Sequence, residues 1–542
     1  MQGPRSFLAR RVPALLSGAV SSMAVVACES SSDPYLARGV GTPPDAGAHV
    51  TVPDAATRDV TTDTDGGTAG RDASRVEDAS PADAGTPDAD SGSHAADGGP
   101  DATDAGHCRV SETEAEFARA SVRKRIRGSD GTELVLEEEL VPFTSTAFPK
   151  TRVVSLGTTL EPRWTWPATP GTYISDFCRH PSGDVSVALV GDPRAVSLVR
   201  LDSELAVLAV TALHDPDIAN DPHSAETGVT DLVTAALALD PVRVVALGED
   251  VRVVAIASTN SVLGYRMSYH GGKWSTPART LIEPASGITP FLPIGGSFDT
   301  FGAIGAWFRP SADVDDSGDT YVAVWADRAR IRNHVASFQD GLVPLFGNPA
   351  QRTGDSDILL TKLGPDGTRL WTRVVGSEFE DEPYALRATN EGVAVVGRAR
   401  RFPGFDNTAW DGLLSVTSAS GEAAPARTFP LDQSSIFLGV DARPGGGWVV
   451  GGSDGWTQNP DGLSILSFGK KLLLELPEAN AAPIRRVLPA GPRHSELHTV
   501  LADDCRISYA GHEDGPLTHS GDSDPSAVFA TGVLGEVRTS SP

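Results

Sequence analysis

The sequence predicts an all-β fold, a β-propeller, preceded by an N-terminal region with too little apolar content to fold. Three observations predict it. The stretch "LLTKLGPDGTRLWTRVVG" (359–376) reads as two short strands over a tight turn. Pro365 presets φ for the second turn position, Gly367 tolerates φ > 0 where the chain reverses, and apolar and polar residues alternate on both sides. A second hairpin follows at once: Tyr384-Ala385-Leu386, a turn at Asn390-Glu391-Gly392, then Val393 to Val396. Four strands in about fifty residues is the size of one propeller blade. Finally, the two hairpins recur in alternation from about residue 150 to the C-terminus, as a repeat of fixed period requires.

Taken in chain order, residues 1–27 read as a signal segment. Arg5, Arg10 and Arg11 precede the short apolar run "VPALLSGAVSSMAVVA", which is too short and too rich in small residues for a membrane span. It ends in Val25-Val26-Ala27-Cys28, which resembles the bacterial lipobox. The resemblance implies that Cys28 becomes the mature N-terminus and carries lipid, several acyl chains together anchoring firmly. Glu29 follows, and by analogy with Gram-negative lipoproteins it does not suggest inner-membrane retention. The expected address is therefore exported and lipid-anchored, at a Gram-negative outer membrane or cell surface. The membrane is the expected partner through the lipid alone.

The linker, 28–107, is made of Asp, Ala, Thr, Gly and Pro. Residues 29–107 hold one aromatic, Tyr35, and one leucine, Leu36. Their sixteen acids against four bases give −12 of the chain's −26. Such a segment cannot offset its conformational entropy by burial, and its like charges extend it. It reads as a tether. The acidic balance argues against nucleic acid as a partner.

The remainder, 108–542, is the propeller. Its outer hairpins are expected at 151–166, 195–210, 359–376, 412–429, 463–477 and 527–541, and its inner hairpins at 177–191, 247–258, 313–326, 384–396, 439–452 and 501–511. Three cysteines fall here or at its start: Cys108, Cys178 and Cys505. In an oxidising compartment one disulfide and one spare thiol are expected, with the pairing open. Their spacing does not suit a zinc site.

The stretch 355–405 resembles the repeat of the bacterial seven-bladed β-propeller family. The residues that carry the resemblance are Asp357, Lys362-Leu363, Pro365-Asp366-Gly367, Trp371, Gly376, Asp381, Ala385, Gly392, Val395, Gly397 and Phe402-Pro403. It departs at Ser377, where a second Gly is usual, and at Val393, where Asn commonly stands. The resemblance implies seven blades, with six as the alternative. Residues 110–166 either supply the seventh blade or complete the ring by pairing with the C-terminal strands.

With strands lettered A to D from axis to rim, the A–B links are tight, and so are most C–D links. The B–C and D–A links hold the long segments, such as 212–228, 284–300, 327–354 and 398–410. In an up-and-down blade those two kinds of link share one face, so binding is expected there. Arg328, Arg330, Arg332, Arg398, Arg400 and Arg401 begin such links. With Trp410 and Trp456 they are expected to form an anion- or glycan-binding face, the alternative being solvated charge and rim packing.

Loop 212–228 gathers His214, Asp215, Asp217, Asp221, His223 and Glu226. His214, Asp217 and His223 are its metal-ligand candidates, weighed against a polar surface loop because no His-Glu-x-x-His spacing is present. Asp313, Asp315, Asp316 and Asp319 resemble a calcium loop, but Val324 stands where the twelfth-position Glu belongs. A structural turn is the expected reading, with calcium as the one cofactor left open. No Gly-x-Ser-x-Gly elbow, phosphate loop or dinucleotide fingerprint is present. The expected role is a non-catalytic binding or scaffold module for an envelope protein or glycan. The alternative is a propeller hydrolase or lyase with an axial active site.

Overall fold

The computed structural model describes residues 114–128, 130–139, 150–157, 160–191, 196–215, 242–257, 261–284, 310–327, 356–401, 409–431, 433–458, 465–477, 482–515 and 530–539. All lie within the unit Cys108–Pro542, the second of the two into which the chain divides. Among the described residues no helix is long and apolar enough to cross a membrane.

The strands form seven antiparallel radial sheets. A short strand β1 (Ala115–Ala118) comes first. Blade one is β2 (Ala120–Arg127), β3 (Glu133–Glu139), β4 (Lys150–Leu156) and β5 (Pro162–Pro167). Blade two is β6 (Thr172–Arg179), β7 (Val185–Gly191), β8 (Val196–Leu201) and β9 (Val207–Leu213). Blade three is β10 (Val242–Leu247), β11 (Asp250–Ile256), β12 (Val262–Met267) and β15 (Ala278–Glu283), with a small ribbon β13 (Tyr269–His270) and β14 (Lys273–Trp274) before its last strand. Blade four is β16 (Ser311–Val314), β17 (Thr320–Asp327), β18 (Ser356–Leu363) and β19 (Arg369–Val375). Blade five is β20 (Asp381–Thr389), β21 (Gly392–Arg400), β22 (Trp410–Ser418) and β23 (Arg427–Phe429). Blade six is β24 (Ser434–Ala442), β25 (Trp448–Gln458), β27 (Lys470–Leu476) and β28 (Ile484–Arg486), with β26 (Ile465–Ser467) also paired to β25. Blade seven is β29 (Glu496–Ala502), β30 (Arg506–Glu513) and β31 (Thr531–Arg538), and its rim strand is β1, Ala115 opposing Leu534 and Ala118 opposing Thr531.

Both readings of 110–166 therefore hold together. Residues 120–167 make a full blade, and 115–118 close the ring against the C-terminal strands. Two expected outer hairpins are corrected. Segment 463–477 contains β26 and β27, both partners of β25, and β27 takes its rim partner from β28. Segment 527–541 supplies one strand, β31, whose outer neighbour comes from the other end of the domain.

Seven apolar clusters hold the ring, each bridging two neighbouring blades. Blades one and two share Leu134, Phe177 and Val199, for example, and blades seven and one share Val122, Val154, Ala510 and Leu534. The rim strands are largely exposed, as in β5 and β9. This follows from the alternating pattern, because inner strands pack on both faces and rim strands on one.

The tight turns share one construction. In the hairpin at 359–376, Gly364 N–H donates to Thr368 O (2.8 Å) and Gly367 N–H to Gly364 O (2.9 Å), with Gly367 at φ +90°. That left-handed residue sets the bulged three-residue turn. The turn is also an interblade clasp. Arg252, buried in blade three, donates to Gly364 O and Pro365 O (both 3.0 Å), and burial lowers its pKa to about 10. On the other side Trp371 Nε1 donates to Ala419 O in blade five (3.2 Å). Gly392, at φ +152°, has a different reason to be glycine: a Cβ there would sit 2.1 Å from Thr417 O on the adjacent strand. Gly392→Ala should lower stability by about 3 kcal/mol or more. Gly367→Ala meets only the Thr280 hydroxyl at 3.0 Å and should cost about 1–2 kcal/mol. Urea melts of the two variants check the order.

Candidate functional site

The innermost strands of all seven blades line an axial cavity of about 670 Å³. Its lining follows from one repeated irregularity. In five innermost strands the register slips by one residue, leaving Arg123, Ser175, Tyr384, Leu438 and His498 without a cross-strand partner. A bulge re-aims the extra side chain, and each of these five residues lines the cavity.

Charged groups in the lining are held as pairs, several of them between blades. Lys124 of blade one meets Asp176 of blade two at 2.7 Å and also donates to Phe177 O (2.8 Å). Arg387 of blade five spans Asp441 of blade six (2.9 Å) and Asp313 of blade four (3.4 Å). Arg127 of blade one reaches Asp503 of blade seven (2.7 Å). Within blade one Arg123 meets Glu138 (3.2 Å). Arg387 is half-exposed and its guanidinium is held above its ordinary range: burial opposes the charge, but Asp313 and Asp441 outweigh it. Burial pushes the Asp441 carboxyl up, against the Arg387 charge. Cys178 also lines the cavity, and burial pushes its thiol up to about 12, so it is no nucleophile at neutral pH. Nearby, His180 Nε2 lies 2.7 Å from Ser186 Oγ while its Nδ1 bonds Gly248 O (2.8 Å). This has the form of a nucleophile and base, but Ser186 is fully buried, which denies it a substrate.

One corner was not singled out from the sequence. Where β29 begins, Glu496, His498 and His512 bring one ligand atom each to within 4.8 Å of one another. His494 Nε2 lies 2.8 Å from Glu496 Oε1. Desolvation alone would raise the Glu496 carboxyl, but His494 and the neighbouring imidazoles hold it well below its ordinary range. The signal was legible as His494-x-Glu496-x-His498, a spacing of two that puts side chains on one strand face.

Four residues expected on the binding face are corrected. Arg398, Arg400, Trp410 and Trp456 are buried. β21 runs through Arg398 and Arg400, β25 through Trp456, and β22 begins at Trp410, so these positions lie inside the sheets rather than on links. Arg398 donates to Glu382 (2.8 Å) and stacks on Trp410 at 3.9 Å. Arg400 pairs with Glu380 and covers the same ring at 4.8 Å. Trp410 and Trp456 form a small cluster of their own between blades five and six. Arg401 is partly exposed and is held by Asp411, Leu431 O and Gln433 O. Arg328, Arg330 and Arg332 lie outside the described residues, as do Cys28, Cys108, Asp217, Asp221, His223 and Glu226. His214 is exposed, and its neighbour Asp215 is buried, accepting from Tyr265 (2.6 Å) and Arg279 (2.8 Å). At the calcium-like turn Asp315 Oδ1 accepts from Ser317 N (3.0 Å) and Asp319 N (3.0 Å), and the Lys362 ammonium sits on Asp319 (2.8 Å). Those contacts are the ones a structural turn needs. Among the cysteines Cys178 is a free, buried thiol.

At the junction of blades four and five two carboxyls are buried together. Asp381 is pushed well above its ordinary range, by burial first and then by Asp357, although Ser377 N–H (2.6 Å) and Oγ (2.8 Å) donate to it. A carboxyl raised on folding favours the folded state fully below its unfolded value of about 3.9. That advantage is lost as pH rises through the folded value, at about 1.4 kcal/mol per unit. Asp381→Asn keeps an acceptor for Ser377 and adds a donor for Asp357. Its melting temperature should exceed that of the unaltered protein near pH 7, by a margin that shrinks toward pH 4. Scanning calorimetry at both pH values checks this.

No protein-family model matches the chain, and no curated relative matches it. Solved structures with similar folds include the β-propeller domain of the Trilobed protease from Pyrococcus furiosus, at 5% identity over 73% of this chain and 90% of that one, with a TM-score of 0.35. An α-L-arabinofuranosidase from Fusarium graminearum is 10% identical over 78% and 93%, with a TM-score of 0.37. An acylaminoacyl peptidase is 9% identical over 64% of this chain, which spans only 43% of that one, with a TM-score of 0.34. At these scores the likenesses carry no argument about activity.

Proposed function

We propose that the protein is an exported, Cys28-anchored binding module whose propeller takes an envelope protein or glycan ligand at the axial cavity, without catalysis. The observation that carries this reading is the lining: seven blades contribute, and its guanidinium, ammonium and carboxylate groups are preset by interblade pairing. The cavity volume falls within the range that buries a small ligand or the end of a larger one. Groups fixed in this way lose little entropy on binding a polar ligand. The acids that a hydrolase would need free, Asp176, Asp313 and Asp503, are each engaged by a cation. Screening the Cys28→Ala chain against envelope proteins and glycans tests the role, and the absence of any ligand would count heavily against it. Fractionating Cys28→Ala tests the anchor, since unchanged membrane retention would refute lipidation. With Cys178 buried and free, the proposed disulfide is Cys108–Cys505; peptide mapping without reductant should find that pair, and free thiols at both would refute it.

A second reading, a hydrolase or lyase with an axial site, is favoured by one observation. His498 faces the cavity with Glu496 and His512 behind it. Turnover of a bound glycan or peptide, lost in His498→Asn, would establish it over the first.

A further inference from the structure

The corner at the start of β29 has the chemistry of a metal site. We propose that Glu496, His498 and His512 bind one divalent transition-metal ion, with Zn²⁺ the best match and His494 as a positioning residue. Two imidazoles and a carboxylate are the donor set that zinc and its neighbours take. The spacing agrees. Zn–N and Zn–O bonds of about 2.0–2.1 Å place tetrahedral ligands about 3.4 Å apart. His498 Nε2 lies 3.2 Å from His512 Nδ1 and 3.8 Å from Glu496 Oε2, values that bracket that edge.

The backbone fixes these positions. Glu496 and His512 are direct cross-strand partners, and the bulge at His498 turns its ring to the axis beside them. The two ring centroids of His498 and His512 stand 5.3 Å apart. The support behind the ligands also has the form of a metal site. Gly469 N–H donates to His494 Nδ1 (3.0 Å), so Nε2 carries the proton that His494 gives to Glu496 Oε1 (2.8 Å). That bond leaves Glu496 Oε2 directed at His498. A ligand oriented by such a partner is the usual outer arrangement of a metal centre. From blade one, Ser121 Oγ hydrogen-bonds His512 Nδ1 (3.1 Å), a bond that the ion would replace, which frees the hydroxyl for a water in a remaining coordination position. Because His498 borders the cavity, that position opens toward the axis.

This inference stands on the cluster alone; if zinc binds and no envelope ligand is found, only the binding role above fails. The test is calorimetric titration of Zn²⁺ into the full chain after chelator stripping. The unaltered protein should take up one ion per chain. His498→Asn, at the edge of the cavity, should weaken binding at least about 100-fold, and His494→Asn about 10–100-fold. The Co²⁺ form of the unaltered chain needs no substitution: the intense visible bands of a four-coordinate ion are expected. Absence of saturable Zn²⁺ uptake, affinity in His498→Asn equal to that of the unaltered chain, or only the weak bands of hydrated Co²⁺ would each overturn the proposal. The corner would then be a hydrogen-bonded histidine cluster.

Discussion

A chain that begins at residue 120 should unfold at far lower denaturant than one that begins at residue 108. With both chains kept under reductant, so that the proposed Cys108–Cys505 bond plays no part, the difference among the described residues is Arg119, β1 and the residue before it. β1 is the rim strand of blade seven, and without it β31 presents a bare edge that can pair with other chains. Phe117 and Ala115 leave the cluster that joins blades seven and one. Glu114 also goes. It accepts from Lys471 at 2.7 Å and from Tyr509 Oη at 2.6 Å, and the Lys471 side chain is fully buried. Removing one partner of a buried charge costs roughly 3 kcal/mol even before the strand is counted. Glu513 still pairs with Lys471, so the loss is partial at that residue. Urea denaturation and light scattering of the two truncations measure both effects. Equal midpoints would mean that the ring does not depend on this closure.

The second large effect is at Arg398. Arg398→Ala should lower stability by roughly 3–5 kcal/mol, because it takes the charged partner from Glu382, buried at 3% side-chain exposure, whose carboxylate also accepts from Tyr384 Oη (2.9 Å). It also removes the guanidinium from the face of Trp410. Arg401→Ala, at a partly exposed position, should cost about 1 kcal/mol or less. If Arg398 instead served an exposed binding face, its replacement would abolish ligand capture with little change in the unfolding midpoint. The chain has nine tryptophans, so the fluorescence melt is compared with that of a Trp410→Phe chain to isolate the Trp410 environment.

Much of the ring was legible because its turns are local. Pro365-Asp366-Gly367 and Asn390-Glu391-Gly392 announce hairpins within a few residues, and the alternation of Val-rich strands gives the period. The closure was only half legible. Ala115 pairs with Leu534, and nothing in either short segment names its partner across the chain. The Arg and Trp residues misled for a physical reason. Arg398 and Arg400 follow a run that already looks like a complete strand, yet β21 continues through them and their charges are met by Glu382 and Glu380. The bulges that aim Arg123, Tyr384 and His498 at the axis have no sequence mark of their own. They are defined by a register with the second strand, not by residue type. The histidine corner joins residues at two strands to Gly469 on the link between β26 and β27, and only the His-x-Glu-x-His part was visible in sequence.

The central claim is that ligand recognition resides at the axis. It is tested most directly by comparing ligand capture by the Cys28→Ala chain with and without Arg387→Gln, on the same arrays of envelope proteins and glycans. Arg387 lines the cavity, joins three blades there, and is half-exposed. The account predicts that Arg387→Gln weakens capture by about tenfold or more while Arg401→Ala leaves it unchanged, since losing one charged hydrogen-bonding group in a binding site is worth about 1.5–3 kcal/mol. Full capture by a folded Arg387→Gln chain, or loss in Arg401→Ala alone, would contradict it.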